Sequence, residues 1–510
     1  MEKRKKKHIY VRAAALLLAA GTAASCSDWL DVYPSDEIKE EYLFSTGDGY
    51  RTALNGIYRK MTTFNLYGSN LTWGLVDAWA QSYYIDQAPS DHGGAAMLQI
   101  ADLNFKSQVL TPTTDAMWEE AWNVVANCNN LAQQVAAADS SLFAKGAYER
   151  RMIEGEAVGL RAFMQFDLLR IYAPAPASKG YAEDTRTFIP YVDTYPSYVN
   201  PHRTVAECLE LVIRDLKRAQ ELLLPVDAVS DMDSDKRFSL NGTVSALFTE
   251  ARGYRLNYWA VTAELARVYL YAGMEDEAYA EAMKVIEEEQ ETGYFEGSTS
   301  SYDIEENGNM KLIENIIFAL YSPTELVEWE QAINYVVSSG SESYLCMDSE
   351  VANQLYGSEA ETDWRMLYQL EPVYYNYYYR PLKYHEQVSG KSFAEKNNPT
   401  IPMLRMSEVY YIAAEAIFDK DPEEAKSYLS YVKRLRGVRD TDYSAVARKD
   451  EFVELLVNDM RREFFGEGQM LYQYKRLNRT MPAMSAYDDP VLPTDENVVL
   501  PLPDSESNIN

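Results

Sequence analysis

Histidine and paired cysteine are what this chain has least of, and with them go most nucleophilic and metal chemistries. Past residue 25 the only histidines are His92, His202 and His385, and no HExxH, GxSxG or phosphate-cradling glycine loop occurs. Apart from Cys26, the cysteines are Cys128, Cys208 and Cys346, an odd set. Cys128 and Cys208 fall on or near helical apolar stripes, where a thiol behaves as a small hydrophobe, so neither a disulfide framework nor a metal site is expected. Basic charge is short as well: 48 Lys and Arg stand against 78 Asp and Glu, a net charge of −30. Such a surface repels phosphate, which excludes nucleic acid as a partner. Asp231, Asp233 and Asp235 have the spacing of the first three ligands of a calcium loop, but Lys236 and Gly242 stand where that loop needs Gly and Glu, so a solvated acidic turn is the reading. No cofactor is implied. The many carboxylates single out no pair for glycoside hydrolysis, whose partners are set by separation in space.

Long apolar runs are missing too. The one near the start, Ala13 to Ala20, is too short to span a bilayer. It follows Lys3, Arg4, Lys5, Lys6, Lys7 and Arg12 and leads through small residues to Cys26, the layout of a secretory signal peptide over residues 1–25. Cys26 in that position is expected to become the lipidated first residue of a bacterial lipoprotein, although Ala23 stands where a lipobox prefers Leu. Cleavage near Ala24 to a freely soluble periplasmic chain is the alternative.

What is present is helical rhythm. The stretch from Asn257 to Glu289 reads as a helix hairpin: Val261, Leu265 and Val268 recur at helical spacing, Asn257 caps the start and Gly273 ends the first helix. Tyr269, Gly273 and Ala278 keep tetratricopeptide intervals, and one such hairpin cannot bury its own stripe, so others are expected beside it. Trp118, Trp122, Val125 and Cys128 start an earlier pair whose partner carries Ile153 to Ile171. The helix with Val205, Leu209 and Val212 should stop before Pro225 and pair with the helix from Asn257. Helices resume at Met403, with PEEAKSYLSYVKRLRG and EFVELLVNDMRREFFGEGQMLYQYKRLN after it. Ile316 to Leu320 reads as a strand inside the irregular segment 291–400.

Tyrosine is the outlier of the composition, at 40 residues. Trp73, Asp77, Trp79, Tyr83 and Tyr84 place aromatic faces beside a carboxylate within twelve residues, the mixture that packs on the C–H patch of a sugar ring and bonds its hydroxyls. The competing reading is that Trp73 and Trp79 pin this loop to the helical core. Tyr374, Tyr375, Tyr377, Tyr378 and Tyr379 are a second candidate platform, for which strand packing is the stronger reading.

Several separated stretches agree with one another. The lipoprotein start CSDWLDVYPSDEI, the helix EGEAVGLRAFMQFDLLRIYAPAP, TAELARVYLYAG, ENIIFAL, IPMLRMSEVYYIAAEAIF, RREFFGEGQMLYQYKR and the closing LPLPDSE together resemble the SusD/RagB family of nutrient-binding outer-membrane lipoproteins. Ser430 and Gln473 depart from the family pattern at positions that read as helix packing. The resemblance implies a mostly α fold of about four tetratricopeptide-like helical hairpins with long irregular loops and a few short strands. It implies one domain over 26–510, with a scaffold mainly in 115–290 and 403–480 and ligand-binding loops mainly in 65–110 and 291–400. It also implies a non-enzymatic protein, lipid-anchored to the outer membrane and facing the exterior, that binds an oligosaccharide or oligopeptide and passes it to a SusC-like TonB-dependent transporter. Asp28 and Asp31 fit the acidic leader used for surface export in that resemblance. A helical glycoside hydrolase and a protein-binding tetratricopeptide scaffold are the alternatives.

Overall fold

A computed structural model describes residues 40–85, 93–176, 183–227, 236–239, 241–295, 300–323, 345–373, 375–387 and 389–507. Cys26, Asp28, Asp31, His92, Asp231, Asp233, Asp235 and Tyr374 lie outside the described residues. The chain divides into two units, Met1–Thr46 and Gly47–Asn510. In the first, Glu40–Leu43 forms one helical turn. The second carries the framework.

It begins with α1 (Gly47–Met61), which buries Tyr50, Leu54, Ile57 and Met61 on one face. Two short helices follow, α2 (Leu75–Trp79) and α3 (Gly94–Ala101), in the segment read as loops. The long α4 (Thr111–Ala137), with a proline in its first turn, and α5 (Ala147–Tyr172) form the first pair. A small ribbon of β1 (Thr187–Pro190) and β2 (His202–Thr204) leads into α6 (Val205–Asp227). Pro225 does not stop α6; it sits within the last turn, where a missing N–H costs one bond and the helix runs two residues further. This helix packs more extensively against α5 than against α8, so the expected pairing is present but is the smaller of the two.

After α7 (Val244–Glu250) come α8 (Tyr258–Tyr271) and α9 (Glu275–Thr292), the hairpin read from the sequence. The Asn257 side chain accepts the Ala260 N–H at 2.9 Å, and Gly273 takes a φ of 75° at the turn. The strand β3 (Ile316–Tyr321) is buried except at its last residue. Then come β4 (Met347–Asp348), α10 (Ser349–Tyr356), β5 (Leu370–Val373) and β6 (Tyr378–Pro381), the strands forming a sheet of order β4-β6-β5.

The helix expected from Met403 starts at Met406 instead. Residues Thr400–Arg405 form β7, antiparallel to β3 with Ile316 opposite Arg405 and Tyr321 opposite Thr400. A buried strand must satisfy its backbone along both edges or lose several hydrogen bonds, and the apolar run Ile401 to Leu404 supplies β3's partner. The helices of two turns or more that follow are α11 (Met406–Ile417), α12 (Pro422–Leu435), α13 (Lys449–Glu463) and α14 (Met470–Leu477). Packed pairwise in order, α4 with α5, α6 with α8, α9 with α11 and α12 beside α11 build a tetratricopeptide-like stack. No helix among the described residues is long and apolar enough to cross a membrane.

The core is unusually ionic. Helix α5 is buried along nearly its whole length, yet carries Glu149, Glu156, Arg161, Asp167 and Arg170. Each is paired: Glu149 with Arg51, Glu156 with Arg252, Arg161 with Asp215 and Asp167 with Arg170. Between α13 and α14 the helix expected to continue is broken by Gly466 (φ 81°) and Gly468 (φ 68°). A Cβ on Gly468 would stand 2.4 Å from the Leu71 carbonyl oxygen, a backbone atom that cannot swing away. Gly468→Ala is therefore expected to destabilise the protein by about 3 kcal/mol, left-handed strain and overpacking together, read as a shift of the urea midpoint at unchanged slope. A midpoint equal to that of the parent protein would rule this out.

Candidate ligand-binding site

The loop aromatics expected to meet a ligand go inward. Trp73 is 1% exposed and donates its indole N–H to the Gly68 carbonyl at 2.9 Å, with the Phe64 ring edge-on at 6.2 Å. Trp79, also 1% exposed, donates to the Asn497 carbonyl at 2.7 Å. Tyr83 is buried against Phe465, with its hydroxyl 3.4 Å from Asp77 Oδ2. Asp77 itself has no exposed surface, and the backbone N–H groups of Gly466 and Gly468 point at its carboxylate. Burial raises the Asp77 carboxyl to about 7 against that help. This corrects the ligand-stacking expectation for Trp73, Asp77, Trp79 and Tyr83. The short helix α2 is covered by the glycine turn between α13 and α14, so its large side chains serve packing. Sequence could not show that cover, since it comes from residues almost 400 positions away.

Tyr84 behaves differently. Its N–H bonds the Cys346 carbonyl at 2.7 Å, joining the end of the α2 loop to the strand β4. Its half-buried ring lies flat on Tyr378, with centroids 5.2 Å apart and planes 16° from parallel. Tyr378 opens β6, where it pairs with Val373 of β5 and Asp348 of β4. The turn between β5 and β6 holds Tyr375 at φ 56° and Asn376 at φ 69°, the positive values that a tight hairpin turn demands. It thrusts two rings outward: Tyr375 is 89% exposed and Tyr377 is 62% exposed.

The two tyrosine segments therefore meet at one sheet, with Tyr84 and Tyr378 as a stacked base and Tyr375 and Tyr377 as projecting faces. Among the described tyrosines of the hairpin, the packing reading holds for Tyr378 and Tyr379 and not for Tyr375 and Tyr377. Asn376, a residue that tolerates left-handed backbone, was the sequence signal for a turn there. Asp348 caps α10 by accepting the Glu350 and Val351 N–H groups, and Arg380 pairs with Glu371 on the same sheet, so the polar groups at its base are fixed. Flat exposed rings over a fixed polar base can hold a sugar ring by its C–H face. No group of three or more His, Cys, Asp or Glu among the described residues is arranged to hold a metal ion. Cys128, Cys208 and Cys346 are buried and none of them forms a disulfide among the described residues.

The chain is similar to known proteins along most of its length. Residues 329–497 match the SusD family, and residues 28–270 match the family described as starch-binding associating with outer membrane. SusD-like protein P38 of Formosa agariphila is 21% identical over 532 residues, spanning 96% of this chain and 94% of that protein. A SusD superfamily protein from Bacteroides thetaiotaomicron superposes with a TM-score of 0.67 at 22% identity, over 91% of this chain and 98% of that one. A SusD-like carbohydrate binding protein from Bacteroides vulgatus does so at 0.66 and 17%, over 91% and 96%. These last two show the same fold. With one family match in each half, and full-length relatives of the same kind, the chain belongs to the SusD/RagB family.

Proposed function

We propose that the protein binds an oligosaccharide at the tyrosine hairpin and hands it, without cleaving it, to a TonB-dependent transporter in the outer membrane. The observation that carries the reading is the pair of outward rings, Tyr375 and Tyr377, beside the stacked Tyr84 and Tyr378. A carbohydrate-binding relative of the same fold and a family associated with the outer membrane support it. The lipid on Cys26 would tether the chain, and the single domain over 26–510 would place its helical stack against the transporter. An oligopeptide is the second ligand class that the family resemblance allows, and exposed tyrosines bind either.

The test is titration of the purified mature chain against a glycan panel, with reducing ends followed in parallel. Binding without new reducing ends is expected. The double variant Tyr375→Ala with Tyr377→Ala should weaken it by about 2 kcal/mol, roughly thirtyfold, since each lost aromatic contact is worth about 1 kcal/mol. Reducing ends that grow with time would mean a hydrolase. Unchanged affinity in the double variant would move the site elsewhere, and binding of peptides alone would replace the glycan.

A further inference from the structure

A cavity of about 1130 Å³ opens between α1, α7 and the end of β3. Its two walls differ in chemistry. On α1, Asp48, Thr52, Asn55 and Arg59 recur every three or four residues and are all exposed, so one polar stripe faces the cavity. Opposite it stand Phe248, Tyr254 and Tyr321, of which Tyr321 is 39% exposed and meets Tyr254 edge-on at 5.2 Å. A polar stripe facing an aromatic wall is a second place where a pyranose could lie with its hydroxyls toward Thr52 and Asn55.

The cations then narrow the ligand. Arg255 lies over the Phe248 ring at 4.7 Å and the Tyr58 ring at 4.8 Å, and its Nη2 donates to Asn55 Oδ1 at 2.6 Å. Its Nη1 is buried and makes no hydrogen bond, while Glu156 stands 4.0 Å away behind it. Arg59, one turn from Asn55 on the same stripe, makes no side-chain hydrogen bond or ion pair among the described residues. Arg51 and Lys60 also line the cavity, but Glu149 and Glu120 engage them from the other side. In a chain of net charge −30, the exposed Arg59 guanidinium with the Arg255 guanidinium beside it on one cavity wall is a local exception. Charges farther off than a Debye length, about 8 Å at physiological salt, are screened, so the nearest cations decide what enters.

We propose that this cavity is a second glycan site, selective for an oligosaccharide carrying an anionic substituent, with the anion held by the exposed Arg59 guanidinium, Arg255 adding positive charge at the wall, and a ring packed on Tyr321. A carboxylate and a sulfate ester share that chemistry, and a guanidinium fork binds either. The site stands apart from the tyrosine hairpin and does not depend on it.

The experiment is calorimetric titration of the mature chain with length-matched neutral, galacturonate and sulfated oligosaccharides and an oligoglutamate peptide. At least one anionic saccharide is expected to bind tenfold tighter than the neutral one, weakening as salt rises, and the two anionic arms tell carboxylate from sulfate. Arg59→Glu, an exposed change that leaves the fold intact, should cut that affinity on the order of tenfold, and Tyr321→Ala should also weaken it. The hairpin double variant should leave it unchanged, which separates this site from the hairpin. Equal binding of neutral and anionic saccharides, indifference to Arg59→Glu, loss in the hairpin variant, or oligoglutamate binding as tightly as any saccharide would each overturn the proposal.

Discussion

Glu463→Ala is expected to lower the unfolding free energy by about 3–5 kcal/mol, the cost of leaving a buried guanidinium without its counter-charge. Arg436 is fully buried and its carboxylate partner is Glu463, bonded from Nε at 2.9 Å, with Asn315 taking another donor at 2.9 Å. Arg365, 1% exposed, bonds the same carboxylate at 3.1 Å and reaches Asp363 at 2.8 Å and Asp459 at 2.7 Å. Burial opposes ionisation of Glu463, yet the Arg436 and Arg365 guanidiniums hold its carboxyl well below the usual carboxylate range. Removing it strands Arg436 while Arg365 keeps two acids. The double change Glu463→Leu with Arg436→Met should recover most of the loss, because it removes the charge that lacks a partner. Urea denaturation of the two variants reads both effects. A single-variant loss no larger than that of a surface ion pair, about 1 kcal/mol, would contradict the account.

The second large effect is on the pH dependence of stability, through Asp77. Its carboxyl is raised by burial from 3.8 to about 7 in the fold, so the folded state holds a proton that the unfolded chain gives up. The stabilisation from that proton is complete below the unfolded value and is lost as pH rises from about 4 to about 7, at a cost of about 4 kcal/mol. Asp77→Asn cannot ionise. Its stability relative to the parent should therefore climb through that window and level off above it, offset by a constant for the weaker bonds to the Gly466 and Gly468 N–H groups. Denaturation of both proteins from pH 4 to 8 checks the difference, which cancels every other titrating group. Parallel curves would sink it.

The helical framework was legible because its signals are local. Asn257 caps its helix through an N–H three residues away and Gly273 ends the helix, so neither reading needed knowledge of the rest of the chain. Ile316 to Leu320 declared a strand by composition, but its partner did not declare itself. Ile401 to Leu404 is equally apolar on a helix, and only the presence of β3 decides between the two. The candidate site shows the same limit from the other side. Trp73 and Trp79 are as aromatic as any sugar platform, and what buries them is a glycine turn and Asn497, contributed from the opposite end of the chain. Tyr375 and Tyr377 were legible as candidates and under-weighted, because alternation along a strand does not apply at the turn where the strand ends. The cavity beside α1 had no linear signature: its walls come from residues near 55, 250 and 321.

Trp79 waits on Asn497, and the end of α5 waits on Leu500, whose N–H bonds the Ile171 carbonyl at 3.1 Å. Lys475 reaches the Arg170 carbonyl at 2.6 Å in the same region. A ribosome delivers those closing groups about 300 to 400 residues after the elements they close. Until they emerge, a nascent chain displays two unsatisfied carbonyls at the end of α5 and an uncovered indole, surfaces that holding chaperones recognise. The order of synthesis thus sets the order of closure, and removing the segment from Asn497 onward should leave a molecule that is helical but held open.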